Sequence, residues 1–222
     1  MKVLVIGAHG KIGKLTIQKL RNTEGFSPVA FLRKQEQVKE FDAMGVTSIV
    51  GNLEEDVEKL AISFEDVDAI VFTAGSGGNT GFDKTLAIDL DGAVKAIEAA
   101  EKVGIKRFVM ISASHSDDRA FWEKSGMKPY YIAKHYADRF LKESDLNYTI
   151  LRPVRLTDDK GTGKLIASGN PEEVGPEIPR EDVAAVVVSV LNNRNTYGQT
   201  IELSSGNTPI ESIYQEAEES IG

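Results

Sequence analysis

The sequence predicts an α/β fold in which a doubly wound parallel sheet carries helices on both faces. Short apolar runs alternate with longer segments of helical periodicity, and a glycine-rich loop follows the first run. Such alternation is typical of parallel strands, because their connections must cross over the sheet. Runs such as Val3–Ile6 are apolar throughout, as expected of strands that are buried on both faces.

The elements keep this rhythm almost to the end of the chain. The first predicted helix is amphipathic, with Ile12, Leu15, Ile17 and Leu20 at helical spacing. The predicted strands are residues 2–7, 28–33, 47–52, 68–75, 107–112, 148–152 and 199–203. The predicted helices are residues 11–21, a polar helix that ends near residue 44, then residues 54–64, 83–103, 129–143 and 180–191, and a short helix from residue 209.

Residues 154–180 break the rhythm. Prolines and glycines punctuate this stretch, and no long helix fits there. We expect it to be an irregular segment that faces the substrate. No repeat or linker divides the chain, so residues 1–222 are predicted to form a single domain.

Composition excludes several classes of function. The chain has no cysteine, which excludes disulfides, thiolate metal sites and cysteine nucleophiles, and its three histidines lack ligand spacing, so we expect no metal site. The net charge of −8, with no basic stripe, disfavours nucleic-acid binding. No apolar run approaches the ~18 residues of a membrane span, so the expected location is the cytoplasm. The expected oligomeric state is a monomer or a homodimer.

The loop Gly7–Gly13 has the spacing G-x-x-G-x-x-G between a buried strand and a helix. Gly7 permits a tight turn, Gly10 lets the backbone approach a pyrophosphate, and Gly13 lets the helix pack close to the sheet. The free N–H groups of the helix N-terminus favour phosphate. The sequence therefore predicts a dinucleotide site at this loop, formed by Gly7, His9, Gly10, Lys11, Ile12 and Gly13, with His9 as a polar turn residue beside the phosphates.

The end of the second strand selects the cofactor. NAD-binding units usually place an acidic residue there to hold the ribose 2′-hydroxyl. Twenty residues after Gly13 this chain has Arg33 and Lys34 instead. A guanidinium makes charge-assisted bonds to a 2′-phosphate, so NADP (as NADPH) is predicted and NAD is the less favoured alternative.

Beyond these features the chain resembles the short-chain dehydrogenase/reductase superfamily, in its extended or atypical branch of NAD(P)-binding, epimerase/dehydratase-like and NmrA-like proteins. The resemblance covers nearly the whole chain. Its marks are the loop Gly7–Gly13, Gly51-Asn52-Leu53, Thr73-Ala74-Gly75, Asp89-Leu90-Asp91-Gly92, the strand Lys106–Ser112, Tyr130–Lys134, Tyr148–Pro153 and Pro179–Ala184.

The resemblance assigns further residues to the cofactor. Asn52, followed by Leu53, stands where the family usually has an aspartate that accepts a bond from adenine, and its amide oxygen can still accept one. The loop Thr73-Ala74-Gly75 would lie over the ribose and the pyrophosphate. Pro153 and Val154 would line the nicotinamide end.

Tyr130 and Lys134 stand four residues apart, so a helix places them on one face. They resemble the family's catalytic Y-x-x-x-K. A nearby ammonium stabilises a phenolate, which lets a tyrosine exchange protons with a carbonyl or an alcohol. Lys134 would also hold the nicotinamide ribose. Tyr131 has its lysine only three residues on, so Tyr130 matches the spacing better.

The family's third catalytic group is a serine or threonine after the fifth strand, which bonds the substrate oxygen. Here Ser112, Ala113 and Ser114 follow that strand, and Ala113 stands where the hydroxyl is wanted. Ser112 is the predicted residue, with Ser114 as the alternative.

These residues predict an NADP-dependent oxidoreductase that passes hydride to or from a small carbonyl, alcohol or quinone-like substrate. One alternative is a non-catalytic NADP sensor of the NmrA-like kind. A second is a sugar epimerase or dehydratase, for which the ~30 residues after Pro153 leave little room. The substrate itself is not encoded in a readable pattern.

Overall fold

Nine strands form one open sheet in the computed structural model, which describes residues 1–77 and 80–212. The strand order is β11-β8-β10-β6-β5-β4-β1-β2-β3, and β7 and β9 form a separate pair. The strands are β1 Lys2–Ile6, β2 Ser27–Leu32, β3 Thr47–Val50, β4 Ala69–Phe72, β5 Arg107–Ile111, β6 Asn147–Pro153, β7 Arg155–Thr157, β8 Lys164–Ser168, β9 Glu177–Pro179, β10 Gln199–Ser205 and β11 Thr208–Pro209.

Helices cover both faces of this sheet. The α-helices are α1 Lys11–Arg21, α2 Val38–Asp42, α3 Val57–Phe64, α4 Phe82–Lys84, α5 Gly92–Lys102, α6 Arg119–Ser125, α7 Lys128–Glu143 and α8 Arg180–Leu191. A π-helical stretch, Thr85–Asp91, joins α4 to α5. Short 3₁₀ turns occupy Gln35–Gln37, Pro171–Glu173, Arg194–Thr196 and Ile210–Ser212.

All strands from β3 to β10 in the spatial order pair in parallel, and only β8 and β11 join the sheet antiparallel among the described residues. This confirms the predicted fold class, a doubly wound Rossmann-like sheet in a single domain. The strand order reverses at β1, which pairs with β2 on one side and β4 on the other. In such sheets ligands bind outside the carboxyl ends of the strands at this switch point.

The core lies in two layers, one on each face of the sheet. Val5 and Val109 pack with the residues of α1 and α8, while Leu4 and Met110, which alternate with them, pack with α3, α5 and α7. All four side chains are essentially buried. Burial on both faces explains why these strands read as continuous apolar runs.

Residues 154–180 differ from the irregular segment that we predicted. They contain the strands β7, β8 and β9 and a 3₁₀ turn. Strand β8 pairs with β10 through Ala167 and Leu203, which extends the main sheet. The strands are only three to five residues long and are separated by glycines and prolines, so periodicity could not reveal them.

The helices differ from the prediction at two places. The helix predicted over residues 83–103 is α4, a π-helical stretch and α5 in succession. Helix α6 lies between the predicted strand 107–112 and the predicted helix 129–143, where no helix was predicted; it is capped by Asp118, whose side chain accepts from Ala120 N at 2.9 Å. The C-terminal helix predicted from residue 209 falls mostly on residues 213–222, outside the described residues, and the chain just before them forms β11 and a 3₁₀ turn.

Within the described residues, no helix combines the length and the apolar character needed to cross a membrane.

Candidate functional site

The glycine loop between β1 and α1 makes a tight turn against the neighbouring strand β4. Gly7 has a φ of +83°, and a Cβ there would lie 2.7 Å from Ala74 N. A Cβ on Gly13 would lie 2.3 Å from the carbonyl oxygen of Gly7. Neither position can take a side chain without displacing backbone. The two glycines therefore let the loop pack directly against the chain that follows β4 and against its own first turn.

A cleft of about 310 Å³ opens above this loop, at the carboxyl ends of β1, β2 and β4. This volume lies at the lower end of the range for ligand pockets. The walls combine glycine backbone with apolar and small polar side chains. The lining residues are Ile6, Gly7, His9, Gly10, Phe31, Leu32, Arg33, Gln37, Gly51, Asn52, Leu53, Thr73, Ala74, Gly75, Ser76 and Ile88.

Most of the predicted cofactor residues line this cleft, but seven lie outside the lining. Ile12 packs against the core, and Gly13 lies directly against the backbone of Gly7 and Ala8. Lys11 pairs with the Asp158 carboxylate, which also accepts from Arg180 Nη1 at 2.7 Å. The remaining four are Lys34, Lys134, Pro153 and Val154.

Arg33 and Lys34 differ in their surroundings at the end of β2. Arg33 is exposed and lines the cleft, and its side chain makes no hydrogen bond or ion pair within residues 1–77 and 80–212. Lys34 Nζ lies 3.4 Å from Glu36 Oε1, outside the lining. Arg33 is thus the cation that the fold leaves available at this wall.

His9 and Asn52 already have partners on opposite walls of the cleft. His9 Nε2 lies 3.3 Å from the Glu40 carboxylate, which Lys14 also contacts at 2.7 Å. Asn52 Oδ1 accepts from Glu54 N at 3.1 Å, which leaves one lone pair and the amide N–H groups for a ligand.

Helix α7 brings Tyr130 and Lys134 onto one face, next to Asp89 of the π-helical stretch. Lys134 Nζ lies 5.7 Å from the centre of the Tyr130 ring, 3.4 Å from Asp89 Oδ1 and 3.4 Å from the carbonyl oxygen of Ile111. The Lys134 and Asp89 side chains are 6% and 2% exposed, so the pair is buried. Asp89 Oδ2 also accepts from Ser76 N at 2.8 Å, and Ser76 lines the cleft. Asp89 thus joins the Tyr130–Lys134 pair to the cofactor-side loop.

The charges around this pair set its protonation. Burial raises the pKa of the Tyr130 phenol above its ordinary value; Lys134 lowers it, but Asp89 and Asp138 raise it again. Burial alone would lower the pKa of Lys134, but Tyr130 in its phenolate form and the carboxylates of Asp89 and Asp138 raise it overall. Tyr130 is therefore a neutral phenol and Lys134 a cation at neutral pH.

The predicted serine, Ser112, is committed to a buried ionic network. Its Oγ donates to Asp138 Oδ2 at 2.9 Å. Arg152 Nε donates to the same oxygen at 2.9 Å, and Arg152 Nη1 lies 2.8 Å from Asp117 and 3.4 Å from Glu202. The alternative, Ser114, is also buried, but its Oγ makes no hydrogen bond within residues 1–77 and 80–212. It lies near the Glu202 carboxyl, whose pKa is raised by burial and lowered in part by Ser114. Of the two hydroxyls, only that of Ser112 is bonded into the network.

Pro153 and Val154 lie at the carboxyl end of β6, on the same sheet edge. The Pro153 carbonyl oxygen accepts from Ser114 N at 3.0 Å, and Val154 N donates to Leu203 O at 3.0 Å. Phe121 and Trp122, on α6, pack with Ala113 and Tyr131 in a small aromatic cluster. Tyr130 packs against this aromatic cluster.

Three charged residues of this site were not predicted as site residues from the sequence: Asp89, Asp138 and Arg152. Asp138 has a signal in the sequence, because it follows Lys134 by one helical turn. The partners of Asp89 and Arg152 come from distant segments, and periodicity carries no trace of them. The resulting arrangement places the Tyr130 phenol and the Lys134 ammonium one ion pair away from the glycine-lined cleft.

Comparison with known proteins agrees with this geometry. A family model described as NAD(P)H-binding matches residues 7–194. The chain belongs to this NAD(P)H-binding family. Its site fits that group on structural grounds too, since the glycines Gly7 and Gly10 line the cleft without side chains, as the approach of a pyrophosphate requires.

The relatives are epimerase/dehydratase-like and reductase-like proteins. The chain is 46% identical to YhfK of Bacillus subtilis, named as an uncharacterized sugar epimerase, over 95% of this chain and 97% of that protein. It is 44% identical to the UPF0659 protein YMR090W of Saccharomyces cerevisiae, over 97% and 98% of the two chains.

Solved structures extend the likeness. The oxidoreductase YlbE of Lactococcus lactis superposes with a TM-score of 0.89 at 31% identity, covering 100% of this chain and 99% of that one. ChuY of Escherichia coli O157:H7, described as an anaerobillin reductase, superposes with a TM-score of 0.79 at 26% identity, covering 92% and 97%.

Proposed function

We propose that this protein is an NADP-dependent reductase of the short-chain type that acts on a small carbonyl or quinone-like substrate. The observation that carries the proposal is the contact of the partly buried Tyr130 with the buried pair Lys134 and Asp89, which is linked through Ser76 to the glycine-lined cleft. The names of YlbE and ChuY, an oxidoreductase and a reductase, support it.

Arg33 supports NADP as the cofactor. It is exposed, lines the cleft at the end of β2, and makes no hydrogen bond or ion pair among the described residues. A 2′-phosphate at this wall would form charge-assisted hydrogen bonds with the guanidinium. An NAD ribose would lack both the phosphate and the usual acidic partner for its 2′-hydroxyl. Gly7 and Gly10 would hold the pyrophosphate, and Thr73, Ala74 and Gly75 would cover it.

The protonation states support reduction rather than oxidation. When bound, the reduced nicotinamide supplies a hydride to the substrate carbonyl. Tyr130, whose pKa is raised, holds its proton at neutral pH and donates it to the carbonyl oxygen. Lys134 remains a cation and stabilises the phenolate that Tyr130 leaves behind, before a proton returns from solvent.

We do not assign the third catalytic hydroxyl to Ser112. Its Oγ donates to Asp138 Oδ2. If Ser112 donated to a substrate oxygen instead, the buried Asp138 carboxylate would lose this hydrogen bond. In the proposed reaction Tyr130 alone contacts the substrate oxygen, and Ser112 helps to hold Asp138 against Arg152.

Sugar epimerisation is the second candidate, because YhfK carries that name. An epimerase must begin by taking a proton from a hydroxyl, which requires Tyr130 as phenolate. Lys134 favours that state, but burial above all, together with the carboxylates of Asp89 and Asp138, raises the pKa of Tyr130 and opposes it. The structure therefore favours the reductase.

The deciding assay measures NADPH consumption with a panel of aldehydes, ketones and quinones at pH 7. We expect at least one carbonyl or quinone to be reduced. A matched panel of nucleotide sugars, followed by NMR for a change of configuration without net NADPH oxidation, tests the epimerase. Epimerisation of a sugar in the absence of any carbonyl reduction would refute the reductase proposal.

A further inference from the structure

We propose that His115, Asp118 and Glu172 form a binding site for one divalent metal cation. The first two residues lie in the loop after β5, and Glu172 lies in the 3₁₀ turn Pro171–Glu173. One nitrogen and two carboxylate oxygens from these side chains lie within 4.8 Å of one another. Imidazole with carboxylates is a ligand set suited to zinc and manganese.

His115 provides a nitrogen that lacks a protein partner. Its Nδ1 is buried and makes no hydrogen bond within the described part of the chain. A buried polar atom without a partner costs free energy. The ring is held in place by stacking on Phe121, with the ring centres 4.2 Å apart and the planes within 10°. A bound cation would give this nitrogen the partner that the protein does not supply.

Asp118 presents a fixed carboxylate oxygen to that nitrogen. Its Oδ1 accepts from the backbone N–H groups of Ala120 and Phe121 at 2.9 and 3.0 Å, which orients the side chain. Its Oδ2 lies 4.0 Å from His115 Nδ1, too far for a hydrogen bond. Two ligands bonded to one ion at about 2.0–2.2 Å can lie up to roughly 4 Å apart, so this gap suits a metal ion between them.

Glu172 brings the third ligand from a distant segment. Its backbone N–H donates to Asn170 Oδ1 at 3.1 Å, and its carboxylate has no hydrogen bond or ion pair with residues 1–77 or 80–212. The adjacent Glu173, in contrast, accepts bonds from Ser168 and Asn170. With a neutral imidazole the three ligands carry two negative charges, which a divalent cation neutralises.

The site would connect two parts of the chain that the sequence keeps apart. Glu172 follows Asp118 by 54 residues, which is too far for a recognisable metal-ligand motif, and the sequence therefore predicted no metal site. A cation here would tie the Pro171–Glu173 turn to the loop that follows β5. The proposal does not depend on the reductase activity.

The test is isothermal titration of the full chain, stripped with EDTA, using Zn²⁺ and separately Mn²⁺. We expect one saturable site per chain, with Zn²⁺ bound more tightly than Mn²⁺. The variants His115→Gln and Glu172→Gln should each weaken Zn²⁺ binding by roughly tenfold or more, since even outer-shell changes cost about that much. Glu173→Gln, which removes the same charge from the same turn, should bind Zn²⁺ as the wild type does.

Each variant is first checked for an unchanged circular dichroism spectrum and an unchanged thermal midpoint in EDTA. Absence of a saturable site in the wild type would overturn the proposal. So would equal Zn²⁺ binding by Glu172→Gln and Glu173→Gln, or binding that survives His115→Gln, because the ion would then lie elsewhere on the surface.

Discussion

The two ends of the site are built in different ways. At the cofactor end, the cleft over β1, β2 and β4 is made of glycine backbone and small side chains, with one free cation, Arg33, at its wall among the described residues. At the proposed catalytic end, beside β5, β6 and β10, charged side chains are buried and bonded to one another, among them Asp138, Arg152 and Glu202.

This difference explains why the cofactor end can be predicted from a local sequence pattern and the catalytic end cannot. A cofactor shared by many enzymes is recognised by backbone, so its signature is a local pattern of glycines. A catalytic group with a shifted pKa needs several charges brought together in low dielectric, and those charges come from distant segments. The predictions below separate the two ends by experiment.

The largest effect is expected at Tyr130. Tyr130→Phe removes the proton donor and should lower the turnover of carbonyl reduction by about 10²–10⁴-fold. The cleft is untouched, so the dissociation constant of NADPH should change little. The matched control is Tyr131→Phe, the adjacent phenol on α7, which should keep turnover within a few-fold of wild type. Equal losses in both variants would contradict the assignment of Tyr130.

The next effect is structural and lies in the ionic network. Asp138 is fully buried, and Asp138→Ala would leave Arg152 with only Asp117 and Glu202 as anionic partners. We expect a loss of about 3 kcal/mol in the free energy of unfolding, at the lower end for a broken buried pair. Urea denaturation measures it. Arg139→Ala breaks the exposed pair with Glu143 on the same helix and should cost under about 0.5 kcal/mol.

At the cofactor end, the comparable structural change is Gly13→Ala. The added Cβ would lie 2.3 Å from Gly7 O and 2.8 Å from Ala8 Cα, so backbone must move. We expect a loss of about 1–3 kcal/mol in stability, together with weaker NADPH binding. Gly169→Ala is the control, since a Cβ there meets nothing within 4 Å. NADPH binding that is unchanged in Gly13→Ala would argue against the loop as the pyrophosphate site.

The pH dependence of reduction gives a smaller but more specific signature of the catalytic end. Reduction needs the protonated phenol, and the pKa of Tyr130 lies above the ordinary 10.0. Turnover should stay level from pH 6 to about 10 and fall by about tenfold per unit only once the pH exceeds the raised pKa. A turnover that increases with pH across the neutral range would instead indicate that Tyr130 acts as a base.

Much of the fold could be predicted from the sequence, because local patterns encode it. The strand–helix rhythm and the loop Gly7–Gly13 depend on short-range geometry, which a single sequence displays. Helix α6 also had local signals, with Asp118 as its N-cap and Gly126 at its left-handed end, with a φ of +71°. The strands within residues 154–180 had none, since pairing rather than periodicity defines them.

The site could be predicted only in part, and for the same reason. Tyr130 and Lys134 were found because they lie one helical turn apart. The π-helical stretch that delivers Asp89 to Lys134 arises from packing, and Ser112 looked available because its partner Asp138 comes from another element. Long-range pairs of charged groups leave no periodic trace in a single chain.

The central claim is that the cleft binds NADP through Arg33, and one measurement tests it most directly. It is the dissociation constant of NADPH and of NADH, by fluorescence titration, for the wild type and for Arg33→Gln. Lys34→Gln, which removes the neighbouring charge outside the cleft, is the control. The account predicts that wild type and Lys34→Gln bind NADPH at least about tenfold more tightly than NADH, as expected for loss of a charge-assisted bond of roughly 1.5–3 kcal/mol, and that Arg33→Gln loses this preference. Wild-type protein that binds NADH as tightly as NADPH would contradict it.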